Sequence, residues 1–221
     1  MNNLQSKSPS SQRTLGLVQL ALFSGIIVIM AFTPFIGYIP LGFTRATIIH
    51  VPVIIGSLML GPKKGAFLGG VFGLTSLINN TINPTATSFV FSPFITVGDI
   101  HGGIGSLIIC FVPRILVGIV PYYVYKLIMK TKKEPSRTRM SVALGFAGVT
   151  GSLTNTLLVM NFIFVFFREA YAKANDVASK TVYNFILGII GINGVPEAIV
   201  ASIIVVGIGA ALMKTKYAIK Y

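Results

Sequence analysis

The amino-acid sequence predicts an all-α integral membrane protein with six transmembrane helices, both termini cytoplasmic, and outer loops capping a substrate pocket. Three observations predict it. The 221 residues are 53% hydrophobic and only 10% charged, with a mean hydropathy of +0.82, whereas a soluble domain carries about 25% charged residues. The apolar residues gather in six segments, near 14–35, 44–61, 64–81, 103–129, 141–167 and 183–213, most of them long enough to cross a bilayer. The third observation is where the basic residues lie.

Lys7, Arg13, Lys63, Lys64, Lys126, Lys130, Lys132, Lys133, Arg137, Arg139, Lys214, Lys216 and Lys220 fall on one side of this layout. The opposite connections hold Arg168, Lys173 and Lys180, offset by Glu169 and Asp176. The basic side is expected in the cytoplasm. The net charge of +13 is thus read as membrane topology rather than as nucleic-acid binding. The expected organisation is a cytoplasmic tail over 1–13, a six-helix substrate-binding domain over 14–213 and a cytoplasmic tail over 214–221. The polar N-terminus precedes an apolar run too long for a signal-peptide core. The lone Cys110 can form no intrachain disulfide, and no metal-ligating cluster accompanies it or His50 and His101.

In the first helix, Ala21 and Gly25 stand four apart on one face. Small residues at this spacing admit another helix closely, either within this chain or from a partner. Pro34 ends the helix, and an outer loop containing Pro40 and Gly42 follows.

The second segment, Thr44 to Leu60, is expected as a short helix of about 26 Å that carries Thr44, Arg45, Thr47 and His50. The turn Gly61-Pro62-Lys63-Lys64 joins it to a third helix with a Gly65/Gly69/Gly73 ridge, expected to serve packing. That helix ends in Thr75, Ser76, Asn79, Asn80 and Thr81. The loop 81–98 has no charge and contains aromatic residues and prolines, so it is expected to fold over the helices as a cap.

The fourth helix carries Pro113-Arg114. An arginine at this depth costs about 2.5–3.5 kcal/mol on insertion scales, so it should face a cavity or a partner. Pro113 is expected to kink the helix and redirect the arginine. The fifth helix places Thr150, Ser152, Thr154, Asn155 and Thr156 near mid-membrane. Hydroxyls can bond back to their own helix, whereas a buried asparagine amide needs outside partners. In the sixth helix Asn193 and Glu197 share a face. Glu197 is either an acceptor for a ligand or the partner of Arg114.

The topology places Arg45, His50, Asn79, Asn80, Arg114, Asn155, Asn193 and Glu197 at mid-depth or outward. Together they predict a pocket suited to a small polar or anionic solute, which an arginine fork can grip through a carboxylate. The sequence contains no phosphate-binding G-x-x-x-x-G-K-[ST], G-x-S-x-G or H-E-x-x-H motif. Paired inward acids and internal repeats are also absent. The chain is equipped to hold a solute but not to energise its movement.

The stretch GFTRATIIHVPVIIGSLMLGPKKGAFLGGVFGLTSLINN resembles the substrate-binding S component of energy-coupling factor (ECF) vitamin transporters, and nearly the whole chain shares the layout. The FSPF and CFVPRILVGIVPYYVYK stretches look most like the pantothenate-specific branch. The resemblance implies a subunit that binds pantothenate (vitamin B5) from outside with high affinity. It further implies docking on a transmembrane coupling subunit and two cytoplasmic ATPase subunits, and toppling in the membrane to release the cargo. The subunit would need no cofactor of its own, ATP being bound by its partners, and would not be an enzyme.

The family's first-helix contact, usually Ala-x-x-x-Ala, falls here on Ala21 and Gly25. The expected substrate ligands are Arg114 for the carboxylate and Asn155 for the amide or hydroxyls, followed by Asn79, Asn80, Asn193, His50 and Glu197. The alternatives are the same role for another vitamin such as hydroxymethylpyrimidine, an autonomous secondary transporter or channel with Glu197 as coupling residue, and an intramembrane enzyme.

Overall fold

The computed structural model describes residues 9–33, 37–41, 44–130 and 136–212. Most of the expected N-terminal tail, Pro34, Gly42, residues 131–135 of the basic connection and the tail 214–221 lie outside the described residues, as does the side chain of Arg45. Helix α1 spans Pro9–Phe32, so it starts inside the expected tail. A methyl at Gly16 would run into the Lys64 ammonium, which places the start of α1 beside the basic turn.

The second segment differs from expectation. Tyr38–Leu41 (β1) and Thr44–Thr47 (β2) form an antiparallel hairpin, with Tyr38 opposite Thr47 and Leu41 opposite Thr44. Helix α2 spans only His50–Leu60, about 16 Å or half a bilayer core. Thr44, Arg45 and Thr47 therefore stand on a strand, not on a helix with His50. Pro52 explains the boundary. Proline is tolerated in a first turn, but its ring would clash with the Ile48 carbonyl if the helix ran back to Thr44.

Gly61, at φ 90° in the region that favours glycine, turns the chain into α3, Pro62–Ile82. The connection to the next helix contains a 3₁₀ turn at Ser88–Val90 and a small hairpin of Thr96–Val97 (β3) with Ile100–His101 (β4). Ser88, Phe89, Val90 and Ser92 are buried, so this uncharged loop folds onto the helices as expected.

The expected fourth helix is two, α4 (Ile104–Val117) and α5 (Val120–Lys130). Pro121 lies in the first turn of α5, and Ser57 Oγ donates to the Gly118 carbonyl at the break, at 2.5 Å. Helix α6, Arg137–Ala174, has a non-helical residue at Phe167, where the sequence reading ends the helix. The last run comprises α7 (Val182–Ile189), a π-helical turn (Ile190–Gly194) and α8 (Val195–Leu212).

Among the described residues, four helical runs are long and apolar enough to cross a membrane: Gln12–Phe32, Ile104–Lys130, Arg137–Ala174 and Val182–Leu212. The protein is a mostly helical multi-pass membrane protein. Helix α6 is central and packs on α4, α5 and α8. The glycine ridge of α3 lies directly on α4. An added methyl would strike the Gly118 carbonyl from Gly65, the Arg114 carbonyl from Gly69 and Phe111 from Gly73.

Candidate functional site

Two apolar clusters divide the bundle. One, towards the basic end, includes Ile54, Leu58, Leu68, Val117, Leu144, Ala147, Ala201 and Val205. The other, under the cap, includes Phe89, Ile109, Val159, Ile163, Val182 and Ile186. On each of three runs the predicted polar residues fall between the two. Arg114 lies between Ile109 and Val117; Ser152, Asn155 and Thr156 lie between Ala147 and Val159; Asn193 and Glu197 lie between Ile186 and Ala201. Counted from the starts of α4 and α7 and from the Phe167 kink of α6, Arg114, Asn193 and Asn155 stand about 15–18 Å along their helical runs.

The hairpin reaches the same layer. The Thr47 N–H donates to Glu197 Oε1 at 2.6 Å, and Thr156 Oγ1 donates to Glu197 Oε2 at 3.1 Å. Thr47 precedes His50 by three residues, Thr156 adjoins Asn155, and Glu197 follows Asn193 by four, so this junction gathers the neighbours of three candidates. Of the two roles open to Glu197, ligand acceptor or partner of Arg114, the second is not what holds the acid, since its hydrogen-bond partners are Thr47 and Thr156. Lys173 and Asp99 form an ion pair at the surface, 3.4 Å apart.

Arg114 is only 6% exposed. Its Nη1 donates to the Ile109 carbonyl at 2.5 Å, and its guanidinium carbon lies 5.6 Å from the Phe72 ring centroid and 5.1 Å from that of Phe91 in the cap. The side chain thus points to the cap end rather than snorkelling to the basic end. Cation–π attraction strengthens when the pair is desolvated, as here.

Three buried polar atoms in this layer have no hydrogen-bond partner, Ser152 Oγ, Asn155 Oδ1 and Asn193 Oδ1, whereas His50 lies between Ile49 and Val51 of the first cluster. His50 and Ser152 are fully buried and Asn155 is 8% exposed. Leaving a buried polar atom unmet costs about 1–3 kcal/mol, so a cluster of them marks a place where a polar ligand would supply the missing partners. Ser152 is not among the substrate ligands expected from the sequence. Other hydroxyls of α6 bond back to their own helix, Thr150 to Phe146 O and Thr154 to Thr150 O; Ser152 does not.

Two predicted residues are engaged elsewhere. Asn80 donates to Ser76 O and accepts from Ser88 Oγ, both at 2.9 Å, and Asn79 accepts from Asn83 Nδ2 at 3.0 Å. With the Thr81–Ser92 hydroxyl pair at 2.7 Å, they fasten the cap to α3. Ala21 and Gly25 are exposed, and a methyl at Gly25 would meet nothing within 4 Å. This small-residue pair is therefore not used for packing inside the chain. A separate cavity of about 640 Å³ between α1, α2 and α8 has Gln19 as its one polar lining residue, and offers nothing to bind a carboxylate. Among the described residues, no group of His, Cys, Asp and Glu side chains is arranged to hold a metal ion.

Comparison with known proteins gives this arrangement a context. The family described as "ECF transporter, substrate-specific component" matches residues 16–209. The pantothenic acid transporter PanT of Lactococcus lactis subsp. cremoris is 42% identical over 200 residues, covering 89% of this chain and 93% of that protein. The pantothenate transporter PanT of Leuconostoc mesenteroides subsp. mesenteroides is 30% identical over 213 residues, covering 92% and 95%. The crystal structure of the S-component for biotin from an ECF-type ABC transporter aligns over 97% of this chain and 95% of its own, with a TM-score of 0.50 at 19% identity; this likeness concerns the fold. The chain belongs to the family of substrate-specific components of ECF transporters.

Proposed function

We propose that this chain is the pantothenate-binding subunit of an ECF-type importer, and that the polar layer between the two apolar clusters is its binding site. The observation that carries this reading is the set of unmet buried atoms on Ser152, Asn155 and Asn193, with Arg114 buried on the neighbouring α4 between the same two clusters. The amide oxygens of Asn155 and Asn193 call for donors, which the hydroxyls and amide N–H of pantothenate supply. Arg114 supplies charged donors to its carboxylate. Two relatives at 42% and 30% identity carry the name of this vitamin, which favours it over hydroxymethylpyrimidine.

Glu197 is assigned here to the hairpin junction at the edge of the site, and Asn79 and Asn80 to the cap. The exposed Ala21/Gly25 face is assigned to the transmembrane coupling subunit, with two cytoplasmic ATPase subunits completing the importer. Both termini are placed in the cytoplasm, and the half-length α2 with its hairpin counts as one of six passes.

Titration of the purified protein with radiolabelled pantothenate, beside hydroxymethylpyrimidine, thiamin and riboflavin, tests the reading. Tight binding of pantothenate alone, weakened at least tenfold in Arg114→Ala (~1.4 kcal/mol), is the expected result. Tight binding of a different vitamin would overturn the substrate.

A further inference from the structure

We infer that Pro113 is a positioning residue for the Arg114 guanidinium; this rests on the proposed grip of Arg114 on the substrate carboxylate. Most prolines within described helices stand at or near the start: Pro9, Pro52, Pro62, Pro121 and Pro196. Pro113 is the exception, well inside α4 (Ile104–Val117). There it removes the N–H that would bond the Ile109 carbonyl, and its ring pushes that carbonyl off the helix axis. A carbonyl freed in an apolar bundle has no water to turn to and needs another donor.

The structure supplies that donor from the next residue, since Arg114 Nη1 bonds Ile109 O at 2.5 Å. Side chains on a helix lean towards its N-terminus, so the arginine reaches the freed carbonyl without leaving its own helix. The bond sets the guanidinium against Phe91 and Phe72, facing the cap and not the basic end. The proline thus costs helix stability and gains a direction for the charge. α4 continues to Val117, so the redirection expected of Pro113 works through this carbonyl rather than through a sharp break in the helix.

The test compares pantothenate with panthenol, which replaces the carboxylate by a neutral alcohol, on the purified full chain. Pro113→Ala restores the N–H, lets the Ile109 carbonyl return to the helix axis and releases the guanidinium. Pantothenate affinity is expected to fall about tenfold, the scale of one charge-assisted hydrogen bond, while panthenol affinity changes less than about twofold. The melting temperature in detergent should not fall, because alanine is the better helix residue.

Equal losses for both ligands, or no loss for either, overturn the positioning role. Arg114→Ala separates the two levels of the argument. If it abolishes the difference between pantothenate and panthenol while Pro113→Ala preserves it, only the role of Pro113 falls. If Arg114→Ala also leaves the difference intact, the carboxylate grip falls as well.

Discussion

The backbone N–H of Thr47 donates to Glu197 Oε1 across 150 residues of sequence, at 2.6 Å. With Thr156 on the other carboxylate oxygen, this bond ties the β1–β2 hairpin to α6 and α8 in the middle of the bundle. Glu197 is 6% exposed, so these two donors take the place of the water it lacks. Glu197→Ala would leave both donors without their acceptor, at about 1–3 kcal/mol each. The expected result is a lower melting temperature together with faster amide exchange over 44–47. Unchanged protection of the Thr47 amide would show that the hairpin is held by other contacts.

The α3–α4 contact makes a second prediction. An added methyl at Gly69 would strike the Arg114 carbonyl and come within 2.7 Å of Ile115 Cα, whereas at Gly70 it would meet nothing within 4 Å. Both neighbours of Gly69 are backbone and cannot turn aside. Gly69→Ala should therefore destabilise the protein by about 1–3 kcal/mol, the usual cost of overpacking. Gly70→Ala should be neutral or stabilising by a few tenths of a kcal/mol, as alanine is the better helix former. Melting temperatures of the two variants in one detergent decide the matter; equal values would mean that α3 and α4 can separate without cost.

What could be read from the sequence was what lipid makes expensive. Arg114, Asn155, Asn193 and Glu197 stand out because a polar group in hydrocarbon needs a reason. The glycine ridge announces a close helix, and the uncharged loop announces a cap. The hairpin was hidden because Thr44–Leu60 is short and apolar enough to pass as a helix. Its signal was Pro52, which belongs in a first turn and so dates the start of α2 to about His50. Once Thr47 is on a strand, its free N–H explains Glu197 better than a pairing with Arg114. Ser152 was beyond sequence reasoning. Nothing in the spacing distinguishes it from Thr150 or Thr154, and only the packing around α6 reveals that its hydroxyl alone of the three lacks a partner.

The exposed small pair on α1 separates binding from assembly. Gly25 is exposed and a methyl there meets nothing within 4 Å, so Gly25→Leu should leave the melting temperature unchanged and pantothenate affinity within about twofold. It should sharply reduce co-purification with the coupling and ATPase subunits, since close helix approach depends on small residues. Full co-purification of the variant would remove this face from the proposed interface.

Ser152 allows a test in which stability and affinity move in opposite directions. Its hydroxyl is fully buried and unmet, so the ligand-free protein carries a desolvation cost at this atom. Ser152→Ala removes that cost and should raise the ligand-free melting temperature or leave it unchanged. If the hydroxyl meets the ligand, the same change removes one hydrogen bond and weakens pantothenate binding about fivefold to tenfold, for a contribution of about 1 kcal/mol. Thr154→Ala is the control, because Thr154 already bonds the Thr150 carbonyl at 2.6 Å and should not alter affinity. A residue that merely packs would lose stability and affinity together or change neither. A gain in melting temperature paired with a loss in affinity is therefore specific to a binding role, and unaltered affinity in Ser152→Ala would remove this residue from the site.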